Sequence, residues 1–276
     1  ALFLVPRFGL TGLAWGVSLG SACHLLVQLP VIWNLGWRYQ AVLDWKNKQL
    51  QLIYKMMTAR TLSLVINQVN LLVETIFAST LVSGSLAVFN LANNLQSFPV
   101  GIFGLSFAIA AFPAIAASAF DKERLVYYFS KTLRQIFYFI IPSTVVLILL
   151  RAQIVRLVLG SGKFDWNDTI LTMNTLTFFA LSLFAQATIP LLVRFYYARH
   201  DSRTPLYLGL IASAVNIVLN YYLVHSSLGV AALALSFSLS SIVQFALLFI
   251  FLRIELGSLD EGLLFKSIGK MLLAAS

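Results

Sequence analysis

Most of the side chains in this sequence that could do chemistry are uncharged amides and hydroxyls inside apolar segments, together with one carboxylate. Four of them recur at spacings of 4, 3 and 4 residues: Ser63, Asn67, Asn70 and Glu74. At about 100° per residue, this spacing places all four on one stripe of a helix. The next apolar segment repeats the pattern with Asn90, Asn94, Ser97 and Gly101, with Asn93 and Gly104 beside them.

Two interpretations fit these stripes. In one, the amides hydrogen-bond across helix interfaces, typically for less than about 1–2 kcal/mol each. In the other, both stripes face a water-filled cavity through which a polar molecule travels. Glu74 favours the cavity, because an ionisable group deep in a membrane costs roughly 2.5 kcal/mol or more and usually marks a functional site. A protonated Glu74 would also allow transport to be coupled to protons, which is a hypothesis from this residue alone.

Pro99 interrupts the second stripe and has Gly101 and Gly104 close behind it. Proline removes one helix hydrogen bond, so a kinked or locally unwound helix is expected here. The bend could act as a hinge that opens and closes a cavity, as broken helices do in transporters. Close packing of the glycines against a neighbouring backbone is the alternative.

The sequence lacks the usual signals of an enzyme. His24, His200 and His225 are far apart in the expected topology, and Cys23 is the sole cysteine. No glycine-rich phosphate loop, zinc-protease motif or pair of carboxylates is present. We therefore expect no catalytic residue, no bound cofactor and no metal site.

Composition identifies an integral membrane protein. Of the 276 residues, 59% are hydrophobic and 11% are charged, and the mean hydropathy is +0.87, whereas soluble domains average about 45–50% apolar and about 25% charged residues. The net charge of +9 comes from short clusters between apolar blocks. This distribution fits the rule that cytoplasmic loops are basic better than it fits nucleic-acid binding.

Seven apolar blocks are long enough to cross a bilayer: 9–36, 57–82, 85–117, 127–150, 168–193, 204–225 and 229–252. They are helix-length and do not alternate as barrel strands do, so we predict an all-α bundle of about seven transmembrane helices. The block 151–165 is too short and too charged to span, and we predict an amphipathic interfacial turn there. All but four of the 19 Lys and Arg residues fall on one side, which we take as cytoplasmic; the four are Arg7, Arg151, Arg156 and Lys163.

Both ends of the sequence resemble parts of further apolar segments, so we expect an internal piece of a longer protein. Residues 1–36 would be the last helix of a preceding lobe, and 57–256 would form a six-helix lobe. Residues 257–276 would begin another helix. The segment 37–56 mixes Trp, Tyr and Lys with apolar residues, which predicts an amphipathic cytoplasmic linker helix, with a plain loop as the alternative.

Several stretches together resemble one family: 12–30, GLAWGVSLGSACHLLVQLP; 69–104, VNLLVETIFASTLVSGSLAVFNLANNLQSFPVGIFG; SGKF at 161–164; and YYARHDSRTP at 196–205. The chain is similar to the C-terminal part of the MurJ/MviN lipid II flippases, within the multidrug/oligosaccharidyl-lipid/polysaccharide exporter superfamily. The resemblance implies the second lobe of a two-lobe flippase in the inner (cytoplasmic) membrane. Its substrate would be the undecaprenyl-pyrophosphate-linked peptidoglycan precursor, moved to the outer leaflet by alternating access without covalent chemistry. The coupling ion, or the membrane potential, is left open.

The sequence departs from that family where many members carry an acidic–arginine pair, because Asn93 and Asn94 stand there and Ser97 precedes Phe98-Pro99. A pyrophosphate is bound most strongly by Arg or Lys. Arg60 matches a basic residue of the family at the cytoplasmic mouth and could touch the headgroup. Other substrates stay open: a capsule or O-antigen unit, or a drug exchanged for a cation. A membrane scaffold without transport activity is the alternative from another class.

Overall fold

The structure is a computed structural model that describes residues 8–36, 47–160, 164–226 and 228–275. Every regular element in those ranges is helical, which confirms the all-α prediction. The helices are α1 (Leu10–Asn34), α2 (Lys48–Ser79), α3 (Ser85–Pro99), α4 (Ser106–Ala117), α5 (Lys122–Leu149), α6 (Arg151–Leu159), α7 (Trp166–Leu181), α8 (Leu183–Ala198), α9 (Arg203–Leu223), α10 (Val230–Leu256) and α11 (Glu261–Ala275). A π-helical segment, Val100–Leu105, joins α3 to α4.

The chain divides into two compact units, Ala1–Gln51 and Leu52–Ser276. In the first unit, α1 exposes large apolar side chains along its length, among them Trp15, Leu25, Val27 and Trp33. Residues 37–46 of the predicted linker lie outside the described residues. Residues 48–56 belong to α2, which continues without a break into the second predicted span.

Five of these helical stretches are long and apolar enough to cross a membrane, and the bent pair α7–α8 could supply a sixth span. They correspond to six of the seven predicted blocks. Residues Ser85–Ala117 form one such stretch of 33 residues, so the π-helical segment interrupts a single long span. The remaining block lies in α2, where several side chains are outside the described residues, so this seventh span stays a prediction. The predicted turn at 151–165 contains a separate helix of 9 residues, α6, and its position at the membrane interface stays a prediction.

The predicted single span 168–193 is wrong in one respect, because it consists of two helices. The helices α7 and α8 meet at Ser182 and are bent by 47°. Two of the helix ends in the second unit are capped by aspartate: Asp121 accepts from the Arg124 amide at the start of α5. Asp165 and Asp168 form a reciprocal capping box at the start of α7.

The core of the second unit is built around α7, α8 and α10. Fully buried aromatic rings join these helices to their neighbours: Phe179 of α7 lies 5.2 Å from Phe89 of α3 and 5.5 Å from Phe237 of α10, measured between ring centroids. Phe195 of α8 lies 5.3 Å from Phe129 of α5. Aromatic pairs at such distances add about 0.5–1.5 kcal/mol beyond their buried area. This packing fixes the helices that surround the site.

Candidate functional site

A cavity of about 440 Å³ lies inside the second unit. Its walls come from α2, the π-helical segment, α8, α9 and α10. The polar residues that line it are Asn70, Glu74, Gln186, Ser213, Asn216, Ser240, Ser241 and Gln244. Amide and hydroxyl groups can bind a cation, water or a polar ligand, so the cavity is chemically distinct from the apolar core beside it.

Glu74 supplies the one carboxylate among the residues that line this cavity, and its side chain is only 6% exposed. Tyr197 is the other titratable group there, and no lysine, arginine or histidine lines the described walls. Among the described residues, none forms a hydrogen bond or an ion pair with the Glu74 carboxylate. A buried carboxylate without a cationic partner is costly. The site is therefore suited to hold a cation or a proton.

Asn70, one helical turn before Glu74, accepts a hydrogen bond at its Oδ1 from the Ser213 hydroxyl of α9. This bond joins α2 to α9 across the cavity wall. For Asn70, the structure thus supports both interpretations, since the residue borders the cavity and also connects two helices. The structure brings Asn70 and Glu74 together, as the stripe in α2 predicts.

Three further polar residues on α9 and α10 were missed from the sequence. Asn220 donates from Nδ2 to Oδ1 of Asn216 at 2.9 Å, and Asn216 donates to Oγ of Ser240 at 3.3 Å. The Asn220 Oδ1 atom is buried and has no hydrogen-bond partner among the residues that the structure describes. The signal was available, because Ser213, Asn216 and Asn220 recur at spacings of 3 and 4, as in α2.

The polar stripe of α3 does not line this cavity. Asn90, Asn94 and Ser97 are exposed on the surface of the second unit, and the Ser97 hydroxyl donates to the backbone carbonyl of Asn93 at 2.7 Å. Helical periodicity places residues on a common face, but it does not say which neighbour that face meets. The expectation that both stripes border one cavity is therefore not met in the second unit.

Gln96, another residue missed from the sequence, links the two polar regions. Its side chain is buried, and its Nε2 donates to Oδ1 of Asn93 and to Oε1 of Gln186, both at 2.9 Å. Gln186 belongs to α8 and also lines the cavity. Asn93 is half-buried at the edge of the exposed stripe. Two hydrogen bonds therefore connect the surface of α3 with the cavity wall.

The predicted hinge residues lie at the π-helical segment. Pro99 ends α3, and the chain continues as a helix through Val100–Leu105 without a sharp kink. Gly104 packs against α8, since a Cβ atom there would lie 2.6 Å from the Ala187 carbonyl oxygen. A Cβ atom at Gly101 would meet no other atom within 4 Å. Gly104 thus fits the packing alternative, and a hinge role for Pro99 and Gly101 stays a prediction.

Three predicted site residues belong to α2 by their backbone, while their side chains lie outside the described residues: Arg60, Ser63 and Asn67. Their roles stay predictions. Among the described residues, no group of three His, Cys, Asp or Glu side chains is placed to hold a metal ion.

Comparison with known proteins identifies the family of this chain. The family model described as lipid II flippase MurJ matches residues 1–276. The chain belongs to the MurJ family of lipid II flippases. It is accordingly part of a multi-pass protein of the cytoplasmic membrane, and its family is a family of transporters.

Two MurJ relatives illustrate the extent of the match. The chain is 31% identical over 237 residues to a probable lipid II flippase MurJ of Thermotoga maritima, covering 85% of this chain and 47% of that protein. It is 30% identical over 238 residues to that of Buchnera aphidicola subspecies Acyrthosiphon pisum, covering 86% and 46%. The chain thus spans about half the length of the curated MurJ relatives it matches.

Solved structures agree with this fold. A lipid II flippase MurJ in an inward closed conformation superposes with a TM-score of 0.76 at 23% identity, over 99% of this chain and 55% of that one. An outward-facing multidrug resistance transporter of the MATE family, in the MOP superfamily, gives a TM-score of 0.64 at 17% identity, over 75% and 46%. At these identities, the MurJ and MATE structures support the fold alone.

Proposed function

We propose that the whole protein, of which this chain forms the second lobe, moves lipid II from the inner to the outer leaflet by alternating access. The substrate is the one that the names of the MurJ relatives state. The chain's contribution is one wall of the polar pathway and a separate internal cavity for a coupling ion.

One observation carries this proposal: Asn90, Asn94 and Ser97 are exposed on a 33-residue apolar span. Exposed amides do not face hydrocarbon, because each unsatisfied polar group costs several kcal/mol there. This surface of α3 is therefore expected to border a water-filled space closed by the remainder of the protein. A glycan headgroup is recognised by such amide and hydroxyl groups.

The anionic pyrophosphate needs a cation that the described stripe does not supply. Asn93 and Asn94 are neutral, and neither forms an ion pair. Arg60, at the expected cytoplasmic end of α2, is the candidate that this chain offers. We expect the remaining positive charge to come from the other half of the protein, since charge-assisted bonds are the strong ones for phosphate.

We further propose that the cavity around Glu74 binds the ion whose gradient drives transport, either a proton or a monovalent cation. Support comes from the burial of Glu74 and the amides and hydroxyls around it. In this proposal, the ion binds in the cavity and the lipid headgroup binds at the α3 surface. Ion binding can then shift the affinity for the headgroup, and headgroup binding can shift the affinity for the ion. The membrane potential alone is the alternative driving force.

The test is genetic rescue. Cells depleted of their own lipid II flippase receive the full-length gene, and growth and protein level are measured. We expect these cells to grow, with the protein inserted into the membrane at a normal level. Lysis at normal protein level would contradict the proposed substrate.

A further inference from the structure

The junction between α7 and α8 has no residue of the kind that usually bends a helix. One residue, Ser182, separates the two helices, which are bent by 47°. The residues from 180 to 184 are Ala, Leu, Ser, Leu and Phe, with neither proline nor glycine. Among the known causes of sharp helix bends is a side chain that enters the helical hydrogen-bond ladder.

That side chain comes from α10. In an unbroken helix, the Ser182 amide would donate to the Phe178 carbonyl, four residues earlier. Here the Ser182 amide donates to Phe179 at 3.2 Å instead. The Phe178 carbonyl accepts from the Ser238 hydroxyl at 2.7 Å. The Ser238 hydroxyl therefore donates to the Phe178 carbonyl, which has lost its helical donor at the bend.

A chain of buried hydrogen bonds holds Ser238 in this position. Gln186 donates from Nε2 to the Ser182 hydroxyl at 2.7 Å, and Ser182 donates to the Ser238 hydroxyl at 3.0 Å. Ser182 and Ser238 are almost completely buried. Since Gln186 also lines the Glu74 cavity, the cavity wall and the bend share one hydrogen-bonded chain.

We propose that the α7–α8 junction is a two-state hinge and that Ser238 is the residue that holds its bent state. In the bent state, Ser238 donates to the Phe178 carbonyl. In the straight state, the Ser182 amide donates to it, and α7 and α8 form one helix. In the straight state, the Ser238 hydroxyl gives up the Phe178 carbonyl and can turn to a carbonyl of its own helix.

The hinge couples the internal cavity to a movement of α8. Straightening moves α8, and with it Gln186, relative to α7. Gln186 is also held by Gln96 of α3, so the motion reaches the exposed stripe of α3. The role of the hinge in transport rests on the proposed function, whereas the existence of two states does not.

Spin labels at the two ends of the helix pair measure the hinge directly. Asn167 and His200 are both exposed. In the full-length protein, with native cysteines including Cys23 replaced, Asn167→Cys and His200→Cys carry the labels. A rise of 1.5 Å per residue puts the backbones about 49 Å apart when straight and about 45 Å when bent. The distance distribution is recorded in liposomes.

Ser238→Ala should shift the distribution toward the longer distance by about 4 Å, because it removes the donor that replaces the helical bond. Ser182→Ala, a mild change at a buried position, should shift it in the same direction by less. Ser236→Ala is the matched control: this buried serine donates to Ala232 of its own helix, and its distribution should equal that of the wild type.

An unchanged distribution in both Ser238→Ala and Ser182→Ala overturns the hinge. A shifted distribution with full rescue by Ser238→Ala in flippase-depleted cells overturns its role in transport. If the wild-type gene itself fails to rescue, the proposed function fails, while the distance measurement still decides whether the hinge exists.

Discussion

Gln96 of α3 donates a hydrogen bond to Gln186 of α8, with Nε2 and Oε1 2.9 Å apart. The bond joins two helices far apart in sequence and lies between the exposed polar stripe and the internal cavity. Because Gln96 also donates to Asn93, it is the single side chain that links both polar regions within the described part of the chain.

Replacing Gln96 with leucine tests whether this link stabilises the fold. The Asn93 and Gln186 oxygens would each lose a donor, and a buried group left without its partner costs about 1–3 kcal/mol. We expect Gln96→Leu to lower the thermal unfolding midpoint of the purified protein. Gln153→Leu, at an exposed position on α6, is the control and should change it little. Equal midpoints would show that the link does not contribute to stability.

Glu74→Gln tests the coupling site while preserving the shape of the side chain. Removing a buried carboxylate relieves a desolvation cost, so protein level and thermal stability should be maintained or raised. Rescue of flippase-depleted cells should fall strongly, because the ion that drives transport loses its carboxylate. Glu123→Gln, at an exposed position in the first turn of α5, should rescue normally. Full rescue by Glu74→Gln would leave Asn70 and Glu74 as packing residues.

Asn94→Cys tests whether the α3 stripe borders water. A membrane-impermeant thiol reagent should label this position in the cysteine-free full-length protein, because the residue is exposed and polar. Ile211→Cys, an exposed apolar position near the middle of α9, should resist labelling, because we expect an exposed apolar side chain at the centre of a span to face hydrocarbon. Protection of Asn94→Cys by added lipid II would place the substrate there. If both positions resist labelling equally, the α3 stripe lies in an interface that water does not reach.

Asn94→Ala gives the functional counterpart. We expect weaker rescue at an unchanged protein level, since an exposed side chain contributes little to folding. Gln153→Ala, which removes an exposed amide of α6 outside the candidate spans, should rescue fully. Equal rescue by both variants would remove Asn94 from the substrate pathway.

Gly104→Ala and Gly101→Ala separate packing from hinge motion at the π-helical segment. The new Cβ at 104 would lie 2.6 Å from the Ala187 carbonyl oxygen, whereas the one at 101 meets open space. Overpacking typically costs about 1–3 kcal/mol, so Gly104→Ala should destabilise the protein and Gly101→Ala should not. A stable Gly101→Ala variant with impaired rescue would indicate that flexibility at this segment matters.

The helices themselves could be predicted from the sequence, because hydropathy and charge asymmetry are local properties. The grouping of Asn70 with Glu74 followed from helical periodicity, whereas the short length and the charges of 151–165 indicated a segment that does not span. Asn216 and Asn220 obey the rule that found the α2 stripe and could have been predicted with it.

Other features depend on tertiary contacts that no local pattern contains. The bend at Ser182 requires Ser238, which lies 56 residues further along the chain. The exposure of Asn90 and Asn94 depends on which helices pack beside α3. The prediction of a hinge at Pro99 used the residue type that most often bends a helix, whereas this fold places its sharp bend at a serine held by a neighbouring helix.

The most direct test of the central claim is the movement of lipid II itself. Liposomes containing the full-length protein are loaded with lipid II in both leaflets, and an added enzyme that cleaves lipid II from outside reports how much becomes accessible. The account predicts nearly complete cleavage with the wild-type protein and about half with Glu74→Gln or protein-free liposomes. Cleavage of only the outer half with the wild-type protein, under an applied ion gradient and membrane potential, would contradict it.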